Sequence, residues 1–148
     1  MAMNKVDIVK KHLDDLAKGD WSSFRGVLTD NAVYEEEATR RRIQGADKYV
    51  DTIKTWKTAF PDFKAKVKEC VGSGDAVVCE LEWSGTHKGP FSGPMGTIPA
   101  TNRAGTLPAM IMYRFDGDRI RECHHYFDAM TLLMQLGVMP QAPQPTAP

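Results

Sequence analysis

The stretch FKAKVKECVGSGDAVVCELEWSGT (residues 63–86) changes the hydrophobic period of the chain from helical to strand-like. Phe63, Ala65 and Val67 alternate with lysines, which is typical of a half-buried strand. A Gly-Ser-Gly-Asp turn then leads into a second apolar run rich in Val, Leu and Trp. The stretch therefore predicts two antiparallel strands joined by a tight turn.

The strand pattern continues towards the C-terminus. Apolar residues over 107–115 and 119–127 predict two further strands, and Asp116-Gly117 between them is a strong hairpin signal. The Gly- and Pro-rich segment 87–102 reads as a long irregular loop, and such loops are usually functional or mobile. We therefore expect a meander of consecutive antiparallel strands, interrupted once by this loop.

Before the meander the apolar period is mostly helical. A first amphipathic helix ends at Gly19, a short second helix begins after Asp20, and a third covers 46–59. A strand pair, with one strand over 32–36 and a polar hairpin around 39–42, lies between the second and third helices. Helices gathered beside such a meander predict an α+β fold, in which a cone-shaped curved antiparallel sheet wraps around the N-terminal helices. A curved sheet of this kind would enclose a cavity.

Length and composition fit one domain. Of the 148 residues, 1–138 carry the periodic pattern, including a closing helix over 129–136, while 139–148 is a Pro-rich tail predicted to be disordered. Lys plus Arg and Asp plus Glu both total 19, and this balance argues against a nucleic-acid partner. No apolar run approaches the roughly 18 residues of a membrane span, so no membrane partner is expected.

Three cysteines, Cys70, Cys79 and Cys123, are an odd number without CxxC spacing. The pattern indicates neither a disulfide framework nor a zinc site, and we interpret all three as reduced thiols. The N-terminal residues contain no apolar signal-peptide core. A cytoplasmic location is the corresponding expectation.

Two groups of short motifs carry a family resemblance. W-S-G-T-H-K-G (83–89) precedes I-P-A-T (98–101), and I-R-E (120–122) precedes Y-F-D (126–128) and L-L-M-Q-L-G (132–137). Together they resemble the SnoaL-like polyketide cyclases, also called ester cyclases, of the nuclear-transport-factor-like superfamily. The resemblance implies a cystatin-like, nuclear-transport-factor-like α+β barrel, a homodimer packed through the outer sheet face, and no metal or other cofactor. It also implies intramolecular aldol-type ring closure of a polyketide-like small molecule in an apolar pocket.

The chain departs from the family pattern at two places. Asn102-Arg103 stands where Gly-Lys or Gly-Arg often follows the I-P-A-T segment, and His124-His125 stands where a tryptophan is common. Both departures could reshape the pocket, so the family's substrate does not transfer automatically.

By resemblance, Asp128 is the candidate catalytic acid/base. Strand alternation puts Glu122, His124 and Tyr126 on the same face as Asp128. If that face lines the cavity, burial would raise the pKa of Asp128, His124 would be a second catalytic candidate, and Glu122 and Tyr126 would contact substrate. The alternatives are that Asp128 caps the closing helix, that an interior histidine is a hydrogen-bonded core residue, and that Glu122 pairs with an arginine.

The remaining substrate-binding candidates are side chains expected near the cavity or its mouth. They are Tyr34, Trp56, Trp83, His87, Met112 and Arg114. The structural alternatives are core packing for the tryptophans and methionine, a loop-anchoring hydrogen bond for His87, and a solvated acidic patch around Tyr34.

Two classes of function remain open, together with a third reaction. The first is an enzyme, a cyclase or related acid/base isomerase, and the second is a non-catalytic binding or scaffolding module of the same fold. The third is a small epoxide hydrolase, which needs aspartates and an arginine around one water and is compatible with Asp128 and Arg114. The feature that separates the first two is whether Asp128 opens into the cavity or only caps a helix.

Overall fold

The computed structural model describes residues 3–93 and 96–138. The elements are, in chain order, α1 (Lys5–Lys18), α2 (Trp21–Gly26), β1 (Leu28–Glu36), β2 (Arg41–Gln44), α3 (Ala46–Ala59), β3 (Lys64–Ser73), β4 (Ala76–Thr86), β5 (Phe91–Gly93), β6 (Gly96–Ile98), β7 (Ala104–Asp116), β8 (Arg119–Phe127) and α4 (Ala129–Gln135). The tail predicted over 139–148 lies outside the described residues. Within them, no helix is both long enough and apolar enough to cross a membrane.

The first two helices begin and end where the sequence predicts. The side chain of Asn4 accepts a hydrogen bond from the Asp7 N–H and caps α1. Gly19 follows α1 in the left-handed conformation, with φ 74°, and its N–H bonds to the Leu16 carbonyl. Asp20 then accepts from the Ser23 N–H and begins α2. Local capping therefore sets the turn that brings α2 back beside α1.

Six strands form one curved sheet in the order β2-β1-β8-β7-β4-β3. Every neighbouring pair is antiparallel except β1 and β8, which run parallel. The expectation of a wholly antiparallel sheet is therefore corrected at this one pair. Hairpin signals report only strands that are adjacent in sequence, whereas β1 and β8 are separated by most of the chain.

The segment predicted to be an irregular loop contains a short hairpin, β5 with β6, in which Phe91 pairs with Ile98. This hairpin packs against α3, since the rings of Phe91 and Trp56 lie 4.8 Å apart. The N–H of Gly89 bonds to the Ala59 carbonyl, and a Cβ at Gly89 would overlap the backbone carbonyl of Thr58. Glycine is therefore required where this segment crosses the end of α3.

Alternate residues of the strands build the core on the concave side of the sheet, against α1, α2 and α3. A register shift between Val67 and Glu69 in β3 changes which residues face inward, so that Cys70 lies opposite Cys79 of β4. These two cysteines form a disulfide, while Cys123 is free and buried. The expectation that all three are reduced thiols is wrong for Cys70 and Cys79. Sequence spacing does not reveal a pairing that depends on the register of the two strands.

Candidate active site

A cavity of about 80 Å³ lies between the concave face of the sheet and the helices. Its wall is mostly aromatic and aliphatic, and includes Leu13, Ile53, Phe60 and Ile111. Residues of the last helix and the segment after it, such as Gln135 and Leu136, complete the wall. The volume lies below the roughly 300 Å³ at which pockets for drug-sized ligands begin, so a bicyclic ligand requires the wall to open.

Strand β8 presents Cys123, His125 and Phe127 to this cavity. The opposite, outer face carries Glu122, His124 and Tyr126, and the Tyr126 side chain is 50% exposed. The row proposed as catalytic and substrate-binding therefore does not line the cavity. The reason is strand register: adjacent residues of a strand point to opposite faces, and pairing with β1 and β7 buries the less polar set.

Asp128 lies at the exposed N-terminus of α4, outside the cavity wall. Its Oδ1 accepts from the N–H groups of Met130 and Thr131 at 3.0 and 3.3 Å, and its Oδ2 accepts from the Thr131 hydroxyl at 2.8 Å. These hydrogen bonds, led by that of the Thr131 side chain, hold the pKa of Asp128 below its usual range. This placement favours the helix cap over the acid/base role, which would need a raised pKa inside the cavity.

His124 belongs to an acidic cluster on the outer face of the sheet. Its Nδ1 lies 3.2 Å from Glu35 Oε2 and 3.7 Å from Glu37 Oε1, and its Nε2 lies 3.7 Å from Glu122 Oε2. Glu35, Glu37 and His124 could hold a metal ion, because one ligand atom from each lies within 4.8 Å of the others. Glu35 also pairs with Arg42, whose positive charge opposes a cation at this position. The cluster is therefore a surface charge network, separate from the cavity.

The other predicted site residues divide between the cavity wall and the outside. The wall includes Tyr34, Trp56 and Trp83. Met112 and Arg114 lie on the outer face of β7, where Arg114 pairs with Asp75 at 3.2 Å.

His87 is buried outside the cavity wall, and its Nδ1 lies 3.0 Å from the Thr101 hydroxyl and accepts from the Thr101 N–H. His87 therefore anchors the segment between β4 and β7 through hydrogen bonds, which is the structural alternative to substrate binding that the sequence also predicts.

The polar part of the cavity wall centres on His125, which the sequence did not single out. The Trp83 indole N–H donates to His125 Nε2 at 3.0 Å. The ring proton of the neutral imidazole is therefore on Nδ1, which lies 3.0 Å from the Tyr34 hydroxyl and donates to it. The Tyr34 hydroxyl in turn donates to Glu36 Oε2 at 2.7 Å. We call this series the His125–Tyr34–Glu36 chain.

Burial sets the protonation of both ends of this chain. It lowers the pKa of His125 to about 4, so the imidazole is neutral at physiological pH. At Glu36, burial raises the pKa, but hydrogen bonds from Thr39 and Tyr34 and the charge of Arg41 outweigh it and bring the pKa below its usual value. Glu36 is therefore an ionised carboxylate with no exposed surface, and the chain connects its charge to the cavity wall.

A sequence signal for His125 does exist. The adjacent histidines 124 and 125 must point to opposite faces of their strand, so one of them faces the interior in either register. Tyr34 and Glu36 are two residues apart on β1 and share a face for the same reason. What the sequence lacks is the register that places these two faces together.

Comparison with known proteins agrees with this architecture. The family model of the SnoaL-like polyketide cyclases matches residues 7–136. Among solved structures, IdmH of Streptomyces antibioticus, a candidate polyketide cyclase, is 25% identical with a TM-score of 0.76, covering 92% of this chain and 100% of its own.

Two further structures share the fold at lower identity. A candidate SnoaL-like polyketide cyclase from Jannaschia sp. CCS1 is 17% identical with a TM-score of 0.82, covering 92% of this chain and 93% of its own. AclR of Streptomyces galilaeus, a candidate hydroxylase, is 20% identical with a TM-score of 0.78, covering 95% of this chain and 89% of its own. No curated protein matches the chain by sequence.

Proposed function

Because the chain belongs to the SnoaL-like polyketide cyclase family, we propose that it closes a ring, or performs a related isomerisation, on a small polyketide-like carbonyl compound inside the cavity. The observation that carries the proposal is the neutral imidazole of His125 in an apolar wall, backed by Tyr34 and the ionised Glu36. A base with this support can remove a proton from carbon without a charged group in the cavity wall.

The proposed reaction is an intramolecular aldol addition. His125 Nε2 takes a proton from a carbon activated by neighbouring carbonyls, and the resulting enolate carbon bonds to a second carbonyl carbon of the same molecule. The imidazolium then returns the proton to the new alkoxide, so no atom is gained or lost. The Trp83 N–H, released from Nε2 when substrate enters, is the proposed donor to the enolate oxygen.

The Tyr34 and Glu36 side chains of the His125–Tyr34–Glu36 chain stabilise the charged intermediate. When Nε2 binds a proton, the Nδ1–H still donates to the Tyr34 hydroxyl, and that hydroxyl still donates to the Glu36 carboxylate. The negative carboxylate stabilises the imidazolium through this chain, as a carboxylate does in other His-based sites. Glu36 already acts in this direction, since its charge raises the pKa of His125 against the larger effect of burial.

The low pKa of His125 restricts the substrate. A base whose conjugate acid has a pKa of about 4 removes protons only from an acidic carbon, because the proton-transfer driving force falls with the pKa of the base. A carbon between two ketones meets this requirement, whereas the α-carbon of a simple ketone does so poorly. The site therefore favours 1,3-dicarbonyl compounds, the repeating unit of a polyketide.

Substrate entry requires the wall to open, and α4 is the proposed moving part. Leu132, Gln135 and Leu136 contribute to the wall, and the Gln135 side-chain N–H donates to the Thr106 carbonyl at 2.6 Å. Displacement of this short helix would widen the cavity without disturbing the sheet.

A second candidate is a binding module without catalysis. It is favoured by the placement of Asp128, which caps α4 and does not open into the cavity. The small cavity, and the partners that both nitrogens of His125 already have, favour it as well. AclR, named as a candidate hydroxylase, shows that proteins of this fold are assigned to more than one chemistry. The epoxide hydrolase alternative has less support, since neither an aspartate nor an arginine lines the cavity in the described parts of the chain.

We also propose a homodimer through the outer face of the sheet. The exposed Met110 and Tyr126 on neighbouring strands support it. Sedimentation velocity tests it, and a monomer at micromolar concentration would contradict it.

The test of the enzyme is cyclisation of a short linear triketone, in which a carbon between two ketones closes a six-membered ring on the third. The ring-closed product is followed by NMR. We expect turnover by the wild type and a loss of about 10²- to 10⁴-fold in His125→Asn, the usual contribution of a general base.

Asp128→Asn is the matched comparison, because it changes the candidate that the family resemblance implies. Retained turnover in His125→Asn together with loss in Asp128→Asn would return the acid/base role to Asp128. Ligand binding without turnover in the wild type would favour the binding module.

A further inference from the structure

A second histidine lines the cavity, and the His125–Tyr34–Glu36 chain does not use it. His12 of α1 is 1% exposed, and neither Nδ1 nor Nε2 has a hydrogen-bond partner. Its ring stacks on Phe24 at a centroid distance of 3.9 Å and meets the edge of Tyr113 at 6.0 Å. Packing therefore fixes the orientation of the ring but leaves both nitrogens unsatisfied.

An imidazole in this state is costly to the empty protein. Leaving a buried polar group without a partner lowers the stability of the folded protein, and an apolar side chain of similar size would avoid that loss. Most buried polar atoms in proteins have a partner, so an exception in a cavity wall points to a missing one. The cavity is the open side of His12, and a ligand in it is the available partner.

The charge state of His12 defines what that partner can be. Burial lowers the pKa of His12 to about 3, against a smaller opposing effect of Asp15, so the ring is neutral. A neutral imidazole offers one N–H donor and one nitrogen acceptor. It does not neutralise a carboxylate or phosphate, and no Lys, Arg, Asp or Glu of the described residues lines the cavity. The complementary group is an uncharged oxygen, either a hydroxyl or a ketone.

We propose that His12 is a binding site for an uncharged hydroxyl or ketone oxygen of the ligand, separate from the reacting carbonyls at His125. The ligand class is then an apolar skeleton with oxygens at two places, one held by the helix α1 and one presented to the strand β8. As a substrate specification this rests on the proposed function. The hydrogen bond at His12 itself does not depend on turnover.

The test uses phenol and toluene, two probes of nearly equal size that differ in a hydroxyl and a methyl group. Dissociation constants are measured by NMR titration for the wild type and for His12→Leu. We expect the preference for phenol over toluene to fall about fivefold in His12→Leu, the usual worth of one neutral hydrogen bond. Comparing the two ratios removes the difference in hydrophobicity between the probes. His12→Gln, which keeps a donor and an acceptor, should restore part of the preference.

The ¹⁵N shifts of the His12 ring provide a second readout that needs no substitution. Phenol should move the shift of one ring nitrogen in the wild type, and toluene should not. Ile53→Val is the matched control, because it alters an apolar part of the same wall and should leave the phenol preference unchanged.

An unchanged preference in His12→Leu, or ring nitrogens that do not respond to phenol, overturns the proposal. Failure of the triketone to react overturns only the proposed reaction, because the phenol titration measures binding alone.

Discussion

Tyr34→Phe removes a single oxygen from the middle of the His125–Tyr34–Glu36 chain and leaves the aromatic ring in place. His125 Nδ1–H loses its acceptor, and Glu36 loses one of its donors. The Tyr34 side chain is 2% exposed, so bulk water does not replace the lost oxygen. The substitution therefore isolates the hydrogen bonds of the chain from its packing.

The expected cost combines two contributions. An unsatisfied buried donor at His125 costs about 1–3 kcal/mol, and a hydrogen bond to an ionised group is worth about 1.5–3 kcal/mol. Glu36 keeps the donors of Thr39, Arg41 and Trp56, which reduces the second contribution. We therefore expect the free energy of unfolding to fall by about 3 kcal/mol.

Urea unfolding measures this change, with an unchanged m-value showing that only stability has altered. Tyr49→Phe is the matched control, because Tyr49 is equally buried and its ring lies 5.0 Å from that of Tyr34. The Tyr49 hydroxyl interacts with the Cys123 thiol, and sulfur is a weak hydrogen-bond acceptor. Its loss should cost less than about 1 kcal/mol. Equal losses of unfolding free energy in Tyr34→Phe and Tyr49→Phe would refute the view that the His125–Tyr34–Glu36 chain stabilises the site.

Three further predictions concern pH, capping and the disulfide. Burial lowers the pKa of His125 from 6.5 to about 4 and the pKa of His12 from 6.5 to about 3. Below pH 6.5 the unfolded state therefore binds more protons than the native state, and the free energy of unfolding falls as the pH falls. The decrease in the free energy of unfolding that His125 alone causes should reach about 3 kcal/mol near pH 4. Midpoints of urea unfolding that stay constant between neutral pH and about pH 4 would contradict the lowered pKa values of both histidines. Asp128→Ala should lower the Tm by a few degrees, because it removes the cap of α4. Asp128→Asn should lower the Tm less, because asparagine also caps helices. Differential scanning fluorimetry measures the Tm of both variants. Dithiothreitol should lower the free energy of unfolding of the wild type by about 2–3 kcal/mol, because it opens the Cys70–Cys79 disulfide. The reductant should leave the free energy of unfolding of Cys70→Ser unchanged. A wild type whose urea unfolding does not respond to the reductant would show that the disulfide contributes nothing to stability.

The sequence predicts most of the fold because its signals are local. The bounds of α3 and β8 agree with the expected segments, since capping residues, period and turns act over a few positions. The features that escaped prediction are set by contacts distant in sequence. The parallel pairing of β1 with β8 and the disulfide across β3 and β4 both depend on strand register, which no local pattern specifies.

The candidate site shows the same division at the scale of single side chains. Tyr34, Trp56 and Trp83 lie in the cavity wall because large aromatic residues of a curved sheet and its covering helix face the core. Which of His124 and His125 faces the cavity depends on one step of register in β8. The pairing of β8 with β7 contains a register shift between Arg114 and Phe115, which a local sequence pattern does not reveal. A family motif identifies Asp128 as a functional candidate, yet a position next to a helix start is equally suited to capping.

The distribution of carboxylates then limits the chemistry available to the cavity. Asp128 is exposed and accepts three hydrogen bonds at the start of α4, while Glu36 is buried behind Tyr34 and Trp56 and outside the cavity wall. Among the described residues no carboxylate faces the cavity, and burial raises the pKa values of the tyrosines and of Cys123 in its wall, so the bases acting there directly are the imidazoles of His125 and His12. Both imidazoles are neutral because burial lowers their pKa values, and a neutral wall favours an uncharged ligand. A substrate that fits these conditions is uncharged, and it must supply its own acidity because the protein offers a weak base. A poly-ketone meets both conditions, since it is uncharged and its carbons between two ketones are acidic, whereas a carboxylate or phosphate fails the first because it is charged.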